Sequence, residues 1–179
     1  MGDIDRLIEL VGRHRPVDRQ IDWPGVEDGL GVLLPSDYKT YIEAFPPGAF
    51  QEELITISHP GLFWTAEKFV DDVNLFCRRI EELKDYVAVN LSYRMHPARD
   101  GLLPWGFVGV DFVLCWQKNT GSPDTWSSVI ASPNFAEDEI WHIPKGMLAT
   151  LIDLISGNTG FDDLEYLSEI TNFGRRNGY

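Results

Sequence analysis

The stretch Leu102–Trp116, LLPWGFVGVDFVLCW, limits what this chain can fold into more than any other. Asp111 is its only charged residue. Two apolar runs, Leu102–Val108 and Phe112–Trp116, flank Gly109-Val110-Asp111. Runs of this length, rich in Val, Phe and Trp and bounded by Gly and Asp, read as buried strands joined by a tight turn. Gly109 supplies the positive φ that such a turn needs. Pro104 has no N–H for the middle of a ladder, so its predicted place is the start of the first strand. This hairpin is the predicted core, and the rest of the chain is its cover.

The cover is read from periodicity. Ile4, Leu7, Ile8 and Val11 fall at i, i+3, i+4, i+7, which predicts a helix over Asp3–Arg13. A short helix follows at Trp23–Gly31, with Pro24 in its first turn and Gly31 as its stop. Tyr38, Tyr41, Ile42 and Phe45 predict another, with Ser36 as N-cap and Asp37 at its positive end. Leu54–Ile57 reads as a strand. Thr65 is placed to cap a long helix, Ala66–Lys84. Val87–Val89 is a candidate strand, and Tyr93–Asp100 reads as an exposed loop. Trp126–Ala131 and Glu139–Ile143 read as strands, Lys145–Ser156 as a helix stopped by Gly157. Phe161, Leu164, Leu167 and Ile170 predict a last short helix, and Gly174–Tyr179 a frayed tail. The predicted class is α+β: a mostly antiparallel sheet of about five or six strands, with helices packed mainly on one side. At 179 residues the chain reads as a single domain, 1–179. A chain of that size buries roughly 70% of its unfolded surface and folds without disulfides or metal.

Two motifs resemble a known family. Leu103-Pro104-Trp105-Gly106, then Val110-Asp111, Leu114 and Trp116, look like the LPWG…GD…W centre of the SUKH superfamily, which includes the SMI/KNR cell-wall-assembly regulators. Val110 departs from it, since many members carry Gly before the Asp. Upstream, Gly31 and Leu34-Pro35-Ser36-Asp37-Tyr38 resemble the opening motif of the same family, in the right order. The resemblance spans roughly 26–157, with an N-terminal helical extension and a C-terminal helix and tail outside it. It implies a non-catalytic binding domain. Bacterial members of the family are immunity proteins that neutralise a cognate toxin, often a nuclease; the fungal members imply a regulatory or scaffold module instead.

The residues themselves offer little chemistry. His14, His59, His96 and His142 stand singly, each read as a surface or half-buried residue, and Cys77 and Cys115 have no CxxC partner. No metal site, cofactor motif or catalytic set is predicted. Ser36-Asp37-Tyr38-Lys39 matches S-x-x-K without its companion elements, and capping by Ser36 is the simpler reading. Adjacent acids such as Asp71-Asp72, Glu81-Glu82 and Asp162-Asp163 point in different directions and make no catalytic pair. A carboxylate-dependent hydrolase is the third and last-ranked reading. Asn90-Leu91-Ser92 is a sequon with no use outside a secretory route, and the N-terminus lacks a leader's basic region and small-residue cleavage site. No run reaches membrane-span length, and both cysteines read as free and buried, so the expected location is cytoplasmic.

The net charge of −13 disfavours nucleic acid and allows a basic protein partner, although plain solubility explains it as well. Trp105, Trp116, Trp126 and Trp141 all lie on predicted strands. Strand alternation forbids all four from pointing inward, and Trp116 is the surest core residue. An outward Trp beside acids makes a binding hot spot. The predicted partner-binding residues are therefore Trp105, Trp126, Glu137, Asp138 and Glu139, facing a basic toxin domain.

Overall fold

The computed structural model describes residues 2–12, 20–50, 54–86, 93–133, 139–168 and 173–175. Five α-helices are seen among them: α1 (Asp3–Val11), α2 (Trp23–Leu30), α3 (Ser36–Ala44), α4 (Ala66–Tyr86) and α5 (Met147–Ser156). The strands are β1 (Gly48–Phe50), β2 (Ile55–Ile57), β3 (Leu102–Val108), β4 (Phe112–Gln117), β5 (Ser127–Ala131), β6 (Ile140–Ile143) and β7 (Phe173–Arg175). They form one seven-stranded sheet in the order β6-β5-β4-β3-β2-β1-β7, antiparallel at every junction. The chain is thus α+β around the predicted hairpin, with two strands more than the five that the clearest patterns mark. Both additions are short. β1 follows Pro46-Pro47, where the sequence reads as a helix stop, and β7 takes Gly174 and Arg175 out of the predicted tail. The candidate strand Val87–Val89 lies outside the described residues.

The register sorts side chains onto two faces. Phe112, Leu114 and Trp116 share one face of β4, while Val113 and Cys115 take the other. Tyr38 of α3 meets Trp116 edge-on at 5.1 Å, and α1, α3 and α5 pack against one another on that side. Phe107 pairs with Val113 across the hairpin and meets Phe76 of α4 at 5.3 Å. Helices therefore gather on one face as anticipated, but α4, the longest, covers the other. Its stripe of Phe69, Val73, Phe76, Cys77 and Ile80 is the reason.

Three local readings need correction. Pro104 lies two residues inside β3, not at its start, and the register shifts between Pro104 and Gly106. A bulge relieves the missing N–H there. Ser36 is the first residue of α3, and its side chain makes no capping bond. Asp124 accepts the Ser36 N–H instead, at 2.6 Å. Asp37 stands in the first turn of α3, as predicted, and accepts the Tyr38 N–H at 2.7 Å; its other oxygen accepts the Leu148 N–H at 3.1 Å and so caps α5 as well. The 93–100 loop is partly interior: Met95 and His96 are buried, and Met95 bridges to Leu102.

Candidate functional site

The β3–β4 turn, β6 and the 3-10 turn Asp162–Ser168 meet at one end of the sheet and enclose a groove of about 780 Å³. Val110, Phe112, Pro133, Trp141 and Tyr166 give it an apolar lining, and Asp111, Glu139 and Asp163 add three carboxylates. No Lys or Arg is among the described lining residues. Each part has a local cause. Gly109 takes φ +53°, which turns the chain tightly and pushes Val110 out to 87% exposure. Phe112, on the helix-bearing face of β4, meets Trp141 edge-on at 5.3 Å. Phe161 closes on the far side of Trp141 at 6.5 Å. Glu139 precedes Trp141 by two residues, so both lean to the same face. The Tyr166 hydroxyl is held above its ordinary pKa, by burial first and by the neighbouring Asp111 charge second.

The predicted binding residues divide. Trp105 and Trp126 are 0% and 6% exposed, so neither ring is offered to a partner; both belong to the core beside Trp116, at 6.3 Å each. Trp105 sits at the bulge, where alternation fails, and this turns its ring inward beside Trp116. Glu139 is exposed and lines the groove, whereas Glu137 and Asp138 lie outside the described residues. Of the four sheet tryptophans, Trp141 is the one only partly covered. His142 beside it is exposed on the opposite face, so nothing in the sequence singled Trp141 out among the four. Val110 was legible only as a departure from the family pattern, and Tyr166 and Asp163 only as part of a short helix.

Two histidines expected near the surface are interior. His59 is 1% and His96 4% exposed. The His59 Nε2 bonds the Phe45 carbonyl at 2.9 Å, and its Nδ1 accepts the Gly61 N–H. Burial lowers its pKa to about 4. The His96 Nδ1 lies 3.0 Å from the buried Lys118 Nζ. Burial and then that ammonium bring His96 to about 4 as well. Burial pushes the Cys77 thiol up to about 12 and raises Cys115 well above its ordinary value. At neutral pH both imidazoles are therefore uncharged and both thiols protonated. Among the described residues no cluster of His, Cys, Asp or Glu has the makings of a metal site, and no helix is long and apolar enough to cross a membrane.

No family model, curated protein or solved structure matches the chain.

Proposed function

We propose that this chain is a protein-binding domain of the SUKH type, without catalytic activity, that neutralises a basic bacterial toxin domain in the cytoplasm by occupying it with the groove at the β3–β4 turn. A nuclease is the toxin class that the family resemblance implies. One observation carries the reading: an apolar lining with a half-covered Trp and three carboxylates, and no described cation to balance them. An apolar centre with a charged rim is the anatomy of a protein interface. An uncompensated acidic rim favours a partner whose own surface is basic. Nucleic acid and membrane surfaces, both anionic, are disfavoured by the same charge. A regulatory module in the manner of the fungal relatives would use such a groove equally, and the identity of the partner separates the two.

The test is co-expression with the product of a toxin-like gene, if one lies beside this gene, scored for growth and for a complex that survives gel filtration; absence of such a gene favours the regulatory module. The parent chain restores growth and co-elutes. A variant carrying Asp111→Lys, Glu139→Lys and Asp163→Lys, shown folded by circular dichroism, does neither. Equal protection by parent and variant would overturn the groove.

A further inference from the structure

The groove continues onto an open sheet edge. β6 ends the strand order, with β5 on one side and, among the described residues, no strand on the other. Its register is Ile143 to Ser128, His142 to Val129, Trp141 to Ile130 and Ile140 to Ala131. Ser132 donates its N–H to the Glu139 carbonyl at 3.0 Å, and Ser128 donates its own to the β6 side, at Lys145. The even-numbered residues of β5 therefore turn their backbone groups toward β6. Their opposites, Trp141 and Ile143, turn back toward β5. By the alternation of an antiparallel ladder, Ile140 and His142 turn N–H and C=O outward. Glu139 and Trp141, which line the groove, stand on this same strand and its approach.

Resting on the proposed function, the geometry points to a specific mode of capture: an extended, Lys- or Arg-bearing segment of the basic partner adds to β6 as an eighth strand. Its backbone takes the outward groups of Ile140 and His142. Alternate side chains fall on the groove face, where a basic residue stands opposite Glu139 as a cross-strand pair. Charge complementarity selects this occupant over a second copy of the chain, because a net charge of −13 sets two copies against each other. The His142 ring already bonds the Tyr93 hydroxyl, so the capture uses its backbone; an unpaired strand edge is a liability that chains usually blunt, and a partner strand would cover it.

The probe is a capped ten-residue peptide alternating Lys and Val, with a Glu–Val peptide of the same length as control, titrated into the full chain. Amide spectra and hydrogen exchange are read at Ile140 and His142. On binding the Lys–Val peptide, both N–H groups gain protection, while Trp141 and Ile143, already bonded to β5, change little. His142→Pro removes an outward N–H and no rung of the β5 ladder, so it folds and weakens the peptide roughly tenfold. His142→Ala, which keeps the N–H, retains parent affinity. Binding without protection at Ile140 and His142, or no binding, overturns strand addition; in the first case the groove reading stands. Equal protection by the Glu–Val peptide overturns the basic-partner reading itself.

Discussion

A single buried imidazole gives this fold a definite response to acid. The His59 pKa of about 4 lies below its unfolded value near 6.5. Between those limits the unfolded chain binds a proton that the native chain refuses, so stability is full above pH 6.5 and falls as pH drops toward 4. For His59 alone the loss by pH 5 is about 2 kcal/mol, and His96 adds to it in the same direction. Asp37 acts with the opposite sign: burial raises its pKa, so its protonation as pH falls favours the native state and offsets part of the histidine loss. Urea midpoints at pH 7 and pH 5 measure the difference, and a flat midpoint would contradict the buried, neutral state of both rings. At the same scale, Trp105 and Trp141 separate stability from binding. Trp105→Ala empties a core site and costs about 3–5 kcal/mol in urea unfolding, with partner affinity of the folded fraction unchanged. Trp141→Ala leaves the core nearly intact and costs about 2 kcal/mol or more in binding, read by calorimetry against the partner. Alternation predicted that some tryptophan must face outward. It could not say which, because the bulge at Trp105 and the position of Trp126 one residue before β5 both lie outside a simple period of two.

Among the elements, the hairpin was the most legible because its code is local. Two unbroken apolar runs and a Gly specify it whatever the rest of the chain does. The turn depends on that Gly: a Cβ at Gly109 would meet only Leu54 Cδ1, at an ordinary 3.6 Å, so its requirement is the dihedral alone. Gly109→Ala is therefore a clean measure of left-handed strain, about 1–2 kcal/mol in urea unfolding, without loss of the hairpin's amide pattern. Gly106, the last residue of the LPWG motif, is held by space instead, since a Cβ there would stand 2.8 Å from the Thr56 carbonyl. The illegible parts are those set by distant partners. β1 and β7 are three residues each and exist through each other and through β2; Gly48-Ala49-Phe50 and Phe173-Gly174-Arg175 lack the β-branched alternation that marks β2. The Ser36 cap failed as a local reading for the same reason: Asp124, 88 residues away, takes the Ser36 N–H, and Asp37 reaches 111 residues to the Leu148 N–H of α5 besides serving its own helix.

At the scale of the whole molecule, a net charge of −13 spread over 28 acids and 15 bases gives an attractive field for any basic body. A diffuse field and a focused one make different demands on mutation. Exposed charges act over a Debye length of about 8 Å at physiological salt. Acids on the outer side of α4, on the opposite face of the sheet from the groove floor, are therefore screened from a partner seated there, while Asp111, Glu139 and Asp163 are within reach of it. The association rate with a basic partner should fall steeply as salt rises, from a steered value approaching about 10⁸ M⁻¹s⁻¹ at low salt toward about 10⁵–10⁶ M⁻¹s⁻¹. Reversing the three groove carboxylates to Lys flattens that slope. Reversing Asp71, Asp72 and Glu82, which changes net charge by the same amount on exposed positions of α4, leaves most of it. Stopped-flow rates for the two triple variants between 25 and 500 mM salt, roughly one Debye length of 20 Å to one of 4 Å, decide between the two. Equal slopes would mean that the overall charge steers and the groove does not, and the site would then have to be sought elsewhere on the surface.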